Sequence, residues 1–372
     1  MTFDKKISRR LALGGIAAGA LTTALPMRSA FAAKKVTIGF IYVGPRDDYG
    51  YNQAHAEGAA ALKKMADVKI IEEEKVPETL AVEKSMESMI NLDGASLIFP
   101  TSFGYFDPHM LKMAQKYPKV QFRHAAGMWD KAKHPANAGS YFGYIDECQY
   151  LSGIVAGHTS KSGKLGFVAA KPIPQVVRNI NAFALGARSA NPNATVQVVF
   201  TGDWSMPVKE AEATNNMIAQ GIDVITCHVD SPKVVIETAE RGGIMTCGYH
   251  ANQSKLAPKG YLTGAEWNWS KVYTDFANQL QADKPLPNFV RGGLKDGFVK
   301  TSPYGALVGA EARKHADEVK AKMASTGVVI FKGPLKDNKG NEVIAPGKDY
   351  DQFDLWLEGM NWLTQGVIGS IS

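Results

Sequence analysis

Side chains able to recognise a small molecule recur at the ends of short apolar runs in this 372-residue sequence. After KVTIGFIYV come Asp48, Tyr51 and Asn52, and after ASLIFP come Thr101, Ser102 and Phe103. Met128 and Trp129 follow QFRH, Asp203 and Trp204 follow TVQVVFTG, and His228 and Asp230 follow DVITC. Tyr249, His250 and Asn252 follow GIMTCG, and Glu266, Trp267 and Trp269 follow GYLTG. Four of the six tryptophans fall at these positions, which points to an aromatic-lined ligand site rather than to isolated capping residues. Flat aromatic faces suit a π-rich ligand or the apolar face of a sugar. An asparagine amide offers a donor and an acceptor to a ligand edge. Asp48, Tyr51, Asn52, Ser102, Phe103, Trp204, His228, His250 and Trp267 are the candidate ligand-binding residues. Asp230, Trp129 and Arg178 are weaker ones; Arg178 sits early in a helical pattern, where an exposed arginine is the simpler state.

The residues do not assemble into a catalytic signature. There is no GxGxxG after a strand, no GxxxxGK[ST] loop and no GxSxG elbow. The histidines lack HExxH or paired-ligand spacing, so no metal site, catalytic residue or cofactor is expected. Cys227 and His228 are adjacent, but neighbours on a strand point to opposite faces. The cysteines, Cys148, Cys227 and Cys247, are odd in number and form no CxxC. Cys227 and Cys247 end apolar runs and read as buried thiols; a bridge between them is the alternative.

The elements that must position these residues alternate. Strand-like KKVTIGFIYV, VKIIEEEKV, GASLIFPTS and KVQFRHAAG are separated by helical NQAHAEGAAALKKMA, ETLAVEKSMESMINLD and DPHMLKMAQKYP. After a division near Tyr141–Asp146 the rhythm restarts, from DECQYLSGIVAGHTS to GIMTCGYH. A further helix, SKVYTDFANQLQAD, a Pro/Gly-rich stretch, a charged helix and a hairpin-like segment complete the chain. A βα repeat implies an α/β fold with mostly parallel sheets wrapped by helices. Ligands of such sheets bind at the carboxyl ends of the strands, so two lobes with facing strand ends would enclose a cleft. The start of the first helix, near Asn52, is expected to aim free N–H groups into that cleft.

Hydrophobic residues make up 45% and charged residues 21% of the sequence, a soluble globular balance. Residues 1–32 read as an export signal: a basic DKKISRR, a Gly/Ala-rich apolar segment and AFA as a cleavage site near Ala32. Arg9 and Arg10 suggest the twin-arginine route, with the general secretory route as the alternative. The apolar run is too short and Gly-rich for a spanning helix, and no cysteine near the cleavage site offers a lipid anchor. The leader holds five basic residues (Lys5, Lys6, Arg9, Arg10 and Arg28) and one acidic (Asp4), so its removal takes the net charge from +6 to +2. A near-neutral product gives no electrostatic case for nucleic acid or an anionic membrane. A periplasmic location follows from this reading.

DDYGYNQAHAEG resembles the DxSFNQ…G loop of the basic membrane protein family, substrate-binding proteins of ABC importers, several of which bind purine nucleosides. The likeness continues through ECQYLSGIVAG, GKLGFVAAKPIPQVVRNINAFALGA, FTGDWSMP, GYHANQSKLAP and FKGPLKDNKGNEV, and GMNWLTQGVIGSI is similar to the family's last helix. The resemblance implies the type I periplasmic-binding-protein fold: two Rossmann-like lobes, three crossovers and a ligand cleft between them. It places 36–143 plus about 268–292 in an N-terminal lobe and 144–267 plus about 293–372 in a C-terminal lobe. It further implies that Tyr51 and Trp204 sandwich a ring, with Asp48 and Asn52 beside it. A monomer that delivers its ligand to an inner-membrane ABC permease is expected.

Three positions depart from the family pattern. Ala126 stands where an acidic residue is common, His250 replaces an Asp that holds ribose hydroxyls, and Trp267 aligns with a ribose-binding Lys. The lost Asp and Lys are charge-assisted hydrogen-bonding groups. The expected ligand is therefore a free purine base or similar flat heterocycle. The alternatives are a nucleoside or sugar in the same role, or a sensory protein that presents its ligand to a receptor.

Overall fold

A computed structural model describes residues 34–371; the expected export signal and the expected cleavage site near Ala32 lie outside the described residues. The chain begins as β1 (Val36–Ile41), α1 (Tyr51–Leu62), β2 (Val68–Glu73), α2 (Leu80–Asn91), β3 (Leu97–Pro100), α3 (Leu111–Lys116), β4 (Gln121–Ala125) and β5 (Ala138–Gly143). It continues as α4 (Asp146–Thr159), β6 (Lys164–Ala169), α5 (Pro174–Ala190), β7 (Thr195–Phe200), α6 (Pro207–Ala219), β8 (Val224–His228), α7 (Lys233–Arg241), β9 (Met245–His250) and β10 (Tyr261–Trp267). Then follow α8 (Trp269–Gln281), β11 (Phe289–Gly292), β12 (Val299–Thr301) and α9 (Ala310–Ser325). Five short strands end the chain: β13 (Phe331–Lys332), β14 (Leu335–Lys336), β15 (Glu342–Ile344), β16 (Asp349–Tyr350) and β17 (Val367–Ile368).

Two sheets result. The first has the order β11-β5-β4-β3-β1-β2 and is parallel throughout. The second has the order β12-β10-β9-β8-β6-β7-β17, with only β12 antiparallel. The chain passes between them three times: after β5, after β10 and after β11. This is the two-lobe type I architecture expected from the repeat and the resemblance. Helices cover both faces of each sheet, so central strands such as VITCH and YLTGAEW are buried at every residue, as parallel strands usually are.

Two elements differ from the sequence expectation. β5, AGSYFG, was not expected as a strand because it lacks a β-branched run. Its small residues have a packing reason: a Cβ on Gly139 would come within 2.8 Å of the Asn288 backbone leading into β11. The segment similar to the family's last helix is not helical. Gly366 and Gly369, at φ +93 and +141, break any helix there, and the Asn181 side chain holds the segment extended. Its Nδ2 donates to the Trp362 carbonyl and its Oδ1 accepts from the Thr364 N–H, both at 2.8 Å. Val367–Ile368 instead pairs with β7 at the sheet edge.

The small residues of α4 serve close helix packing. A Cβ on Gly153 would lie 2.1 Å from the Phe183 carbonyl, and one on Gly186 would lie 2.0 Å from that of Tyr150. This approach seats α5 firmly, and with it the loop that precedes it at the cleft. All three cysteines are free and buried.

Candidate functional site

A small cavity opens where the strand ends of the two sheets meet. The first sheet's side contributes Tyr51, Ser102, Phe103, Ala125, Ala126 and Phe142; the second contributes Gln175, Trp204, His228, Asp230 and His250. Four aromatic rings thus face the space from both sides. Phe103 remains 53% exposed at the mouth, its ring 6.4 Å from that of Trp204. The Lys171 ammonium sits 5.2 Å from the Trp204 ring centroid and pairs with Asp203 at 2.8 Å, which fixes the turn that carries Trp204. Ala126 and His250 adopt φ of +69 and +74. Left-handed backbone is uncommon for residues with a Cβ, and such strained positions concentrate at functional sites.

The loop before α1 is organised from within. Asp48 is buried and accepts from the backbone N–H groups of Gly50, Asn52 and Gln53 at 2.8–3.1 Å, and from Asn52 Nδ2 at 2.8 Å. Burial pushes its carboxyl pKa up, and these four hydrogen bonds oppose the rise. Asn52 Oδ1 accepts from the Gly44 N–H at 3.2 Å. The Tyr51 N–H donates to the Asp230 carbonyl at 2.9 Å, and that of Ala54 to Gly50. The first N–H groups of α1 are therefore occupied rather than aimed into the cleft. Asp48 and Asn52 cap the helix and shape the loop; they line not this cavity but an adjoining cleft that shares Trp204 and Asp230 with it. Tyr51 does, and its hydroxyl donates to the Thr101 carbonyl at 2.5 Å, which holds the ring upright.

Behind the cavity runs an aromatic column. Trp267 stacks on Trp269 at 4.6 Å, and Trp269 stacks on His55 at 5.2 Å. Trp267 is buried and stands outside the cavity, backing His250. Its indole N–H donates to His250 Nδ1 at 2.8 Å. An indole can only donate, so the neutral His250 ring carries its proton on Nε2. That buried N–H has no hydrogen-bond partner among the described residues. Burial, then His228 and His55, hold the His250 pKa well below its usual value. The Val229 carbonyl opposes this in part without reaching hydrogen-bond geometry.

His228 is set in the same way. Asn179 Nδ2 donates to its Nδ1 at 3.0 Å and to the Tyr249 hydroxyl at 2.9 Å, and burial lowers the ring's pKa to about 3. Ser102 lines the cavity with its hydroxyl donated to Glu78 at 2.5 Å. The His124 ring accepts from the Gly127 N–H and donates through Nε2 to the Ser102 carbonyl at 2.6 Å, which pins this loop.

Trp129 and Arg178 lie elsewhere. The Trp129 indole donates to the Pro135 carbonyl at 3.2 Å. Arg178 is not the exposed helix arginine expected: it is 5% exposed and pairs with buried Asp146 at 2.9 Å beneath α5. One turn earlier, Gln175 lines the cavity and, among the described residues, no hydrogen bond reaches its amide, although sequence reading passed over it. Phe142 was likewise passed over because β5 was. His228, Tyr249, His250, Glu266 and Trp267 are the last residues of strands rather than members of the following loops. Among the described residues, no group of acidic, histidine or cysteine side chains is arranged to hold a metal.

The family model for the Bmp family, described as ABC transporter substrate-binding protein PnrA-like, matches residues 35–331. A purine-binding protein of Brucella abortus is 36% identical over 343 residues, covering 91% of this chain and 95% of its own length. A Haloferax volcanii protein described as an ABC transporter glucose-binding protein is 30% identical, covering 87% of this chain and 80% of its own. An ABC transporter solute-binding protein from Aeropyrum pernix superposes with a TM-score of 0.66 at 20% identity, over 84% of this chain and 94% of its own. One from Conexibacter woesei gives 0.65 at 21% identity, over 79% and 97%. The chain belongs to the Bmp family of PnrA-like ABC transporter substrate-binding proteins.

Proposed function

We propose that this protein captures a free purine base between its lobes and delivers it to an inner-membrane ABC permease. The observation that carries the reading is the cavity lining: Tyr51, Phe103, Phe142 and Trp204 supply flat faces, while the polar groups left without partners are few. Base–aromatic stacking contributes about 1–3 kcal/mol per ring in nucleic-acid binders. Among the described residues no lysine or arginine lines this cavity to grip ribose hydroxyls; Lys75 and Lys233 line the adjoining cleft. The purine-binding relative from Brucella abortus supports the ligand class. The glucose-binding description of the Haloferax volcanii relative keeps a sugar as the second reading.

The two lobes, 36–143 plus about 268–292 and 144–267 plus about 293–372, are the moving bodies. Their closure on the ligand is the signal the permease reads. The mature protein works as a periplasmic monomer released from a twin-arginine leader. No helix among the described residues is long and apolar enough to cross a membrane. A thermal-shift panel of purine bases, their nucleosides and hexoses tests the ligand. A ligand at about 100 times its Kd stabilises by about 2.7 kcal/mol, a rise of several degrees. Shifts with bases alone support the reading, whereas equal or larger shifts with nucleosides or glucose overturn it.

A further inference from the structure

The cavity holds one acid for which the fold supplies no partner. Asp230 follows β8, and its main chain is fixed on both sides. Its N–H donates to the Trp204 carbonyl at 2.8 Å and its carbonyl accepts from the Tyr51 N–H at 2.9 Å. The residue thus ties the two stacking positions together, and a Cβ on Gly50 would lie 2.0 Å from its carbonyl oxygen. Among the described residues no hydrogen bond or ion pair reaches its carboxyl group, and the residue lines both the cavity and the adjoining cleft.

Its surroundings are one-sided. The charged groups that act on it most strongly are acids: Asp48 and Glu78 from the first sheet's side, Asp203 and Glu210 from the second's. Burial first, and then these four, push its pKa well above the ordinary value. The other titratable neighbours are the phenols of Tyr51, Tyr105 and Tyr249 and the imidazoles of His228 and His250, all kept neutral by burial. Of the cations on adjoining elements, Lys171 pairs with Asp203, Lys209 donates to the Thr201 carbonyl and Lys233 lies over the ring of Tyr49; Lys75 lines the adjoining cleft with Asp230, and no ion pair joins the two.

We propose that Asp230 selects the ligand by binding as a neutral carboxylic acid to an edge that carries one N–H donor beside one acceptor. This rests on the reading of the cavity as a purine site. A protonated carboxyl presents one donor and one acceptor, whereas a carboxylate presents acceptors only. The first pattern matches the amidine edge of adenine, the lactam edge of hypoxanthine and the N3/N9–H edge of any free base. The second matches the paired N–H donors on the pyrimidine edge of guanine. Glycosylation at N9 removes the N3/N9–H edge, so pairing there would also exclude nucleosides.

Calorimetric titration of the full mature protein, Asp230→Asn and Asp230→Ala with adenine, hypoxanthine and guanine from acidic to alkaline pH tests this. An asparagine amide copies the donor–acceptor pattern of the neutral acid. Asp230→Asn should therefore hold affinity for adenine or hypoxanthine within about threefold, and Asp230→Ala should lose about 10- to 100-fold. Wild-type affinity should fall as pH rises and the acid ionises, while that of Asp230→Asn stays flat. Loss of binding in Asp230→Asn, or wild-type affinity that rises with pH, overturns the neutral acid. Full affinity in Asp230→Ala overturns the contact itself. Either leaves the purine reading standing, whereas a wild type silent to every base overturns that reading and this proposal together. Asp230→Asn conserves shape, so a misfolded alanine variant still leaves a decisive comparison.

Discussion

Replacing Trp267 with phenylalanine tests how the cavity sets its polar groups. The substitution keeps an aromatic ring against Trp269 and Phe142, at 4.6 and 5.3 Å in the native column, and removes the indole N–H. His250 Nδ1 then loses its 2.8 Å donor in a site that is 2% exposed. An acceptor left buried without a partner costs about 1–3 kcal/mol of stability. The tautomer of a histidine is set by the hydrogen bond its other nitrogen makes, so the imidazole also becomes free to carry its proton on Nδ1. Ligand contacts that need the Nε2–H then weaken. With a net hydrogen-bond worth of about 0.5–1.5 kcal/mol, affinity for the base falls about 2- to 12-fold. Denaturant unfolding reads the first effect, nitrogen NMR of labelled histidine reads the tautomer, and calorimetry reads the third. An unchanged tautomer with unchanged affinity refutes the linkage. A variant that gains nucleoside affinity shows instead that the indole reaches the ligand and blocks a sugar.

Other consequences can be measured independently. Arg178→Ala leaves the Asp146 carboxyl buried without its partner at 2.9 Å. It should cost about 3–5 kcal/mol in denaturant unfolding, with base affinity of the folded fraction unchanged. Glu147 has its pKa raised from 4.5 to about 7, chiefly by burial. Between those values the folded protein keeps a proton that the unfolded chain has lost, so stability falls as pH rises through that window, by at most about 1.4 kcal/mol per pH unit. Glu147→Gln should remove that slope, and an unchanged slope refutes the assignment. Burial raises the thiol pKa values of Cys148, Cys227 and Cys247, the last to about 12. A thiol reagent should modify none of them in the native state and all three after unfolding.

The architecture was legible because parallel strands buried on both faces write continuous apolar runs, and helices write longer amphipathic ones. AGSYFG escaped because its small residues answer to the Asn288 backbone rather than to strand propensity. At the site, sequence position identified which loops meet but not where their side chains turn. Asp48 and Asn52 belong to the loop that carries Tyr51 to the cavity, yet their polar atoms are consumed by the α1 backbone, Gly44 and each other. Trp267 ends β10 behind the cavity and meets it through His250. Arg178 and Gln175 lie three residues apart on one helix face, and only tertiary contact with Asp146 decides that the arginine turns inward. Asp230 stood among the weaker candidates; what distinguishes it is the lack of a partner, which a sequence does not display.

The central claim is capture of a base rather than its nucleoside, and calorimetric titration of the mature protein with adenine and then adenosine tests it most directly. The cavity predicts one adenine per protein, bound at least about tenfold more tightly than adenosine, the ratio equal to about 1.4 kcal/mol. Adenosine bound as tightly as adenine, or more tightly, would contradict the account and return the site to a nucleoside.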